Sequence, residues 1–175
     1  MALRDSELEE WEFIGLSWLT EAREILSSFI SIGKVPVKRR FIFFGRQDPY
    51  AAYSKAVEKL MGAAPYLNTI FGYDLQHTIK KLQSAAVRAT NAPPAGVISL
   101  RDNLTKLSKK YSVWPKFLTA LIDEINLAKL NAQKGNNPKD PKSLKMLDNV
   151  SVSLNKFEED LRQLLKQQRS AKTFK

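Results

Sequence analysis

The last third of the chain carries the pattern that most limits how this sequence can fold. From Ser143 onward, apolar residues recur at alternating steps of three and four positions, at Leu144, Leu147, Val150, Leu154, Phe157, Leu161 and Leu164. An α-helix has about 3.6 residues per turn, so this spacing places these side chains on one side of a helix. We therefore predict a long final helix, whose apolar side must be covered by other helices.

A second long helix is predicted near the start of the chain. Ser6-Glu-Leu-Glu9 has the spacing of a capping box, in which two side chains satisfy free N–H groups of a first helical turn. Apolar residues then recur at helical spacing, at Leu8, Trp11, Ile14, Trp18, Ala22, Ile25 and Phe29. This helix is expected to end near Gly33.

Shorter helices are predicted between these two, because proline and glycine divide the remaining apolar stripes. The predicted boundaries are, in chain order, a start at Asp48-Pro49, a stop or kink at Gly62–Pro65, a restart at Leu67, a break at Asn91–Pro94, starts at Ser99 and Pro115, and a loop from Gly135 to Pro141. The fold class that follows is all-α, a bundle of five or six helices with long first and last helices.

We predict one helical-bundle domain over residues 1–169, followed by a basic tail at residues 170–175. Residues 33–48 contain Pro36 and two glycines and are expected to form a basic and aromatic loop within this domain, with a short strand possible at Phe41–Phe44.

The residue types present exclude several kinds of chemistry. The chain has no cysteine and a single histidine, His77, so disulfides, zinc fingers, iron–sulfur clusters, thiol catalysis and sites with two imidazoles are excluded. Nucleotide-binding glycine loops and the nucleophile elbow of hydrolases are absent from the sequence. We therefore expect a protein that is not an enzyme and that has no cofactor and no metal site.

Two groups of acidic residues offer alternatives to this expectation. Asp74 lies three residues before His77, on the same side of a helix, but one such pair on a lysine-rich helix more often makes a surface contact. Adjacent carboxylates on a helix point in different directions, so Asp123-Glu124 and Glu158-Glu159-Asp160 are interpreted as solvated faces rather than metal sites.

The N-terminal residues have no basic segment followed by an apolar run, and no stretch reaches the roughly 18 apolar residues of a membrane-spanning helix. These observations predict a soluble, cytoplasmic protein without a membrane partner.

Charge is distributed unevenly along the sequence. The formal net charge is +10, but the first 32 residues contain seven acidic and only two basic residues, so the rest of the chain carries +15. The acidic first helix could face a basic protein surface or cap the basic body of the chain itself. Alternatively, its carboxylates simply lie in solvent near the positive end of the helix dipole.

The basic residues point to nucleic acid. Lys38-Arg39-Arg40 run directly into Phe41–Phe44, with Lys34 and Arg46 nearby. Cations neutralise phosphates and aromatic rings stack on bases, which is the combination found on single-strand binding surfaces, although these rings could instead fill the core. Further candidate contacts lie on predicted helices, at Lys80, Lys81, Arg88, Arg101, Lys106, Lys109, Lys110 and Lys116.

The loop cations Lys134, Lys139, Lys142 and Lys145 could extend this set. No helix-turn-helix pattern is present, so contact with the phosphate backbone, independent of sequence, is favoured over base readout.

One segment resembles part of a known family. Lys59-Leu60, Pro65, Gly72, Leu75 and Gln76 follow the order of a segment in the small helical subunits of multisubunit CRISPR effector complexes. The resemblance covers about 20 residues. It implies a non-catalytic subunit that lines the inner face of a ribonucleoprotein filament and holds RNA or DNA on its basic side.

The sequence is consistent with three classes of function. The first is a non-catalytic, sequence-independent subunit of a larger ribonucleoprotein assembly, with single-stranded or duplex nucleic acid and other protein subunits, including copies of itself, as partners. A helical viral nucleocapsid or coat subunit would use the same physics. The second is a structural bundle that docks in a large protein complex without nucleic acid, as the chloroplast-type extrinsic four-helix subunits do. The third, an enzyme, would need Asp74, His77 and another polar group in one pocket.

Overall fold

A computed structural model describes residues 5–32, 48–88 and 95–172. These residues form six α-helices, α1 (Asp5–Ile32), α2 (Ala51–Thr69), α3 (Leu75–Arg88), α4 (Ala95–Tyr111), α5 (Trp114–Lys134) and α6 (Pro141–Lys172). The described part of the chain contains no strand, and its first and last helices have 28 and 32 residues. The predicted all-α bundle is thereby confirmed. Residues 33–47 of the predicted loop, with the candidate strand, lie outside the described residues.

The core is organised along α6, which packs against α1, α3, α4 and α5, while α2 lies against α1 and α5. The predicted apolar side of α6 is confirmed: Leu144 is partly buried, and the other members of the stripe are buried at Leu147, Val150, Leu154, Phe157, Leu161 and Leu164. Each buried leucine or phenylalanine of this kind contributes about 1.5–3 kcal/mol relative to an exposed one.

The turn between α5 and α6 has the expected loop chemistry. Asn136 has a φ of 48°, in the left-handed region that asparagine tolerates better than most residues. The Asn137 N–H donates to the carbonyl of Ala132 at 2.9 Å, which closes the end of α5. Asp140 then accepts a hydrogen bond from the Ser143 N–H at 3.0 Å, so α6 begins at Pro141, before the first residue of the predicted stripe.

The sequence predicts a stop or a kink at Gly62–Pro65, and a stop does not occur there. Helix α2 continues through Pro65 to Thr69, and a π-helical turn, Ile70–Asp74, connects it directly to α3. Proline has no N–H to donate to the Met61 carbonyl, and both Met61 and Pro65 are exposed, so water can reach this carbonyl. The local cost is outweighed by the burial of side chains within and after Gly62–Pro65, namely Ala63, Leu67, Ile70 and Phe71.

Other boundaries also differ from those predicted: α1 already includes Ser6, the first residue of the predicted capping box, and α5 begins at Trp114 rather than Pro115. Helix α2 begins at Ala51, with Tyr50 rather than Asp48 at its N-cap, and the Asp48 side chain accepts from the Tyr50 N–H at 2.9 Å in the turn before the helix. Helix α4 begins at Ala95 rather than Ser99, and the buried Val97 stabilises this extra turn. Helix α6 extends through residues 170–172 of the predicted tail, after a last turn that buries Gln168.

A buried carboxylate joins α1 to α6. Glu158, interpreted from sequence as solvated, is only 2% exposed. It accepts hydrogen bonds from Thr20 Oγ1 at 2.6 Å and from Arg23 Nε at 2.5 Å. The solvated interpretation is therefore wrong for Glu158, because helix packing supplies the partners that compensate its desolvation.

Two carboxylates of α1 itself also form ion pairs with other helices. The buried Glu12 lies 3.3 Å from Arg169 of α6, and Glu21 lies 2.6 Å from Lys59 of α2. Carboxylates of the acidic first helix thus pair with cations of the basic body, in agreement with one of the three interpretations of its charge. Glu9, Glu10 and Glu24 are exposed.

Replacing Arg23 with alanine leaves the Glu158 carboxylate without its charged partner. We expect the free energy of unfolding to fall by about 3 kcal/mol, since removing one member of a buried pair strands the other. Urea unfolding followed by circular dichroism measures this change. Glu21→Gln breaks a more exposed ion pair and should cost less than about 1 kcal/mol. Equal losses of stability in the two variants would contradict the role assigned to Glu158.

Gly62 lets α1 approach α2 closely. A Cβ atom at this position would lie 2.9 Å from Trp18 Cε3. We expect Gly62→Ala to lower stability by about 1–3 kcal/mol through overpacking, although alanine favours a helix. Gly72→Ala is the matched control, because its nearest atom would be 3.7 Å away. Thermal unfolding of the two variants should rank Gly62→Ala well below Gly72→Ala, and the opposite order would refute this packing argument.

The raised pKa of Tyr53 predicts how the stability of the fold changes at alkaline pH. Its hydroxyl donates to the Pro138 carbonyl at 2.7 Å, and burial, together with the nearby Asp140 carboxylate, raises the pKa of this phenol to about 12. An unfolded tyrosine has a pKa of about 10, so this contribution to stability is present below pH 10 and is lost as pH rises from about 10 to 12. Urea midpoints should therefore fall more steeply over this range in the wild type than in Tyr53→Phe. Equal slopes would show that Tyr53 contributes nothing.

Candidate nucleic-acid interface

Helices α3 and α4 pack side by side and form one layer of the bundle. Gln76 Nε2, near the start of α3, donates to Ser108 Oγ, near the end of α4, at 2.8 Å. The two helices therefore run antiparallel. Their inner sides bury apolar residues, at Leu75, Ile79 and Leu82 of α3 and at Val97 and Leu104 of α4.

The outer side of this layer is strongly basic. The two helices contain a single acidic residue, Asp102, and seven of the predicted contact residues, Lys80, Lys81, Arg88, Arg101, Lys106, Lys109 and Lys110. The five lysines are exposed and Arg101 is partly buried. For Arg88 only the helical backbone is described. We call the exposed lysines the α3–α4 surface: Lys80, Lys81, Lys106, Lys109 and Lys110.

Helical spacing brings these lysines together. Lys106, Lys109 and Lys110 lie three and four positions apart, so they share the outer side of α4. Lys80 lies one turn after Gln76, on the side of α3 that contacts α4. The structure therefore places the predicted cations of α3 and α4 on neighbouring helices.

Two ion pairs lie within or beside this surface. Arg101 Nη2 is 2.8 Å from Asp102, and Lys110 Nζ is 3.1 Å from Asp160 of α6. The Asp102 side chain is 52% exposed and that of Lys110 is 54% exposed. Solvent screens pairs of this exposure, which each contribute at most about 1 kcal/mol, so a phosphate can compete for these cations.

The other predicted cations have different positions. Lys116 is exposed in the first turn of α5, six residues beyond Lys110. Lys145 precedes Asp160 by 15 residues of α6, or about 22 Å at about 1.5 Å per residue. The loop cations therefore lie near the opposite end of the bundle and do not extend the α3–α4 surface. They are Lys134, Lys139, Lys142 and Lys145. Outside the described residues lie Lys34, Lys38, Arg39, Arg40 and Arg46.

Catalytic and metal sites gain no support from the described geometry. His77 is exposed, and of Asp74 only the backbone, in the π-helical turn, is described. No group of three or more His, Asp or Glu residues that could hold a metal ion occurs in residues 5–32, 48–88 and 95–172. Within the same ranges, no helix is both long and apolar enough to cross a membrane.

A groove beside the α3–α4 surface was not predicted from sequence. It has a volume of about 270 Å³ and lies where the turn between α4 and α5 meets α6. Its walls are mainly apolar and include three aromatic rings, and it is lined by Lys110, Val113, Trp114, Phe117, Ser153, Lys156, Phe157 and Asp160. Helical spacing assigns Phe117 and Phe157 to the core, but no pattern within one helix indicates that two helices leave space between them.

Comparison of the chain with models of protein families, with curated proteins and with solved structures gives no match. The resemblance of residues 59–79 to small CRISPR subunits therefore stays a prediction. Within that segment, Leu75 is buried and Gln76 joins α3 to α4, so both residues have structural roles in this bundle.

Proposed function

We propose that this chain is a non-catalytic nucleic-acid-binding subunit that holds the phosphate backbone of RNA or DNA on the α3–α4 surface. The observation that carries this proposal is the presence of five exposed lysines on two adjacent helices that contain one acidic residue. A cluster of this kind attracts a polyanion and gains affinity by releasing its counterions.

Lysine side chains favour contact with phosphates over contact with bases. A lysine ammonium group is a compact point charge on a flexible stem, without the two-pronged geometry with which arginine reads guanine. The lysines of α4 span about 6 Å along its axis, at about 1.5 Å per residue, and Lys80 and Lys81 lie on the adjacent α3, so the charge is spread over two helices rather than held in one pocket. Binding is therefore independent of sequence and sensitive to salt.

We further propose that the chain works within a larger ribonucleoprotein assembly in the cytoplasm. The resemblance of Lys59-Leu60, Pro65, Gly72, Leu75 and Gln76 to small CRISPR effector subunits supports this part of the proposal. A viral nucleocapsid or coat subunit, which also holds nucleic acid by its backbone, fits the same surface.

A structural role without nucleic acid is the second candidate, and one observation favours it. Phe13 of α1 is 73% exposed, on the same helix as the exposed carboxylates of Glu9, Glu10 and Glu24. An exposed aromatic ring among acidic residues suits contact with a basic protein surface. In that case the α3–α4 surface would have no role in binding nucleic acid.

Neutralising three lysines of α4 tests the proposal. Lys106→Gln, Lys109→Gln and Lys110→Gln together should weaken binding to single-stranded and duplex RNA and DNA of unrelated sequence by about tenfold or more at low salt. The slope of log affinity against log salt should become shallower by nearly one for each phosphate that these lysines no longer neutralise, and thus by up to about three. A salt-titrated fluorescence anisotropy assay measures both quantities.

The matched control makes the same change of charge at the opposite end of the bundle, by Lys134→Gln, Lys142→Gln and Lys145→Gln. This control should change the slope much less. Equal effects of the two triple variants would mean that net charge alone governs binding. Absence of binding by the wild type at low salt would favour the structural role.

The basic loop predicted from sequence has its own test. Replacing Lys38, Arg39 and Arg40 together with alanine should weaken nucleic-acid binding in the same assay, while circular dichroism shows unchanged helical content. Unchanged affinity would remove these residues from the interface and leave the α3–α4 surface as its basis.

A further inference from the structure

The groove between the α4–α5 turn and α6 has a stacked aromatic wall. Phe157 lies 5.2 Å from Phe117, measured between ring centroids, and 6.3 Å from Phe71. Phe71 is itself stacked against Trp114 at 6.3 Å with an interplanar angle of 21°. Phe71 and Phe157 are buried, whereas Trp114 and Phe117 are partly exposed. The wall is therefore anchored in the core and leaves aromatic surface accessible in the groove.

The rim of the groove is polar and carries more positive than negative charge. Lys110 lies on one side in its pair with Asp160, and Lys156 lies one turn before Asp160 on α6. Lys156 is exposed, and the Ser153 hydroxyl also lines the groove. Because Lys110 belongs to both, the groove adjoins the α3–α4 surface.

We infer that this groove receives one unpaired base of a nucleic-acid strand whose phosphates lie on the α3–α4 surface, an inference that rests on the proposed function. Its volume of about 270 Å³ is slightly below the range of about 300–1,000 Å³ found for drug-sized ligands, so it suits a single ring system. Aromatic rings stack on any base, while rim lysines contact the phosphates on either side. The Ser153 hydroxyl lines the groove, where it can bond to the edge of the base.

Charge complementarity favours a base over an aromatic side chain of a protein partner. Two lysines and one aspartate form the charged rim, and the neighbouring layer adds four more lysines. A strand supplies a phosphate beside every base and so matches this arrangement. A duplex keeps its bases paired and stacked, so the groove adds affinity only for single strands.

Oligonucleotides with and without bases test this inference. A single strand and an abasic strand of the same length carry the same backbone charge, so the α3–α4 surface should bind both. The wild type should bind the strand with bases between about 5-fold and 150-fold more tightly, the range expected when one base stacks on an aromatic side chain. Trp114→Leu should remove most of this difference and leave affinity for the abasic strand unchanged.

Two further variants test the inference even if the Trp114→Leu variant does not fold. Ser153→Phe fills the groove without removing any ring and should also abolish the preference for bases. Lys156→Gln should lower the affinity for both strands by a similar factor, because it removes only a phosphate contact.

The outcomes separate the two proposals. Equal affinity of the wild type for both strands overturns the groove as a base site and leaves the proposed function standing. A preference for bases that survives both Trp114→Leu and Ser153→Phe also overturns it. Failure of the wild type to bind either strand overturns the proposed function and this inference together.

Discussion

The apolar side of α6 is the surface on which the rest of the bundle depends. Four of the other five described helices pack against it, and α2 attaches through α1 and α5. Apolar contact has little directional preference, so burial alone does not fix how a partner helix rotates or slides. Polar contacts between α1 and α6 supply that direction, because Glu158 accepts hydrogen bonds from Thr20 and Arg23 and Glu12 pairs with Arg169. Removing these acids together with their partners would preserve burial but leave the register of α1 along α6 less well defined.

The same packing places acidic and basic residues differently: carboxylates of α1 and α6 pair with cations of other helices, whereas the lysines of the α3–α4 surface stay exposed. Three carboxylates form ion pairs between helices: Glu12 and Glu21 of α1, and Glu158 of α6. The α3–α4 layer is joined instead by a neutral hydrogen bond between Gln76 and Ser108, so its lysines are not needed to hold the two helices together. Lys110 pairs with Asp160, but the five exposed lysines outnumber the carboxylates beside them, so the layer keeps a positive potential.

Long periodic segments could be predicted from sequence, because one periodicity decides which side of a helix is buried. The α6 stripe is the clearest case. The continuity of α2 through Pro65 could not be predicted, since burial of residues far apart in the chain outweighs a local signal. The burial of Glu158 could not be predicted either, because its partners Thr20 and Arg23 lie more than 130 residues away. The lysines of α3 and α4 could be found individually, but their adjacency depends on an antiparallel pairing that composition does not reveal. The groove depends on where α4 ends and α5 begins relative to α6.

In the proposed function, the groove and the α3–α4 surface would do different physical work. Charge attracts RNA and DNA alike, single-stranded or duplex, and loses its influence as salt rises. An aromatic wall responds instead to whether a base is unpaired, because only such a base can leave its stack and enter. The turn at Ser112 and Val113 places Lys110 at the end of one helix and Trp114 at the start of the next. That short connection brings the two kinds of contact within reach of a single strand, so it couples attraction to any polyanion with selection for an unpaired base.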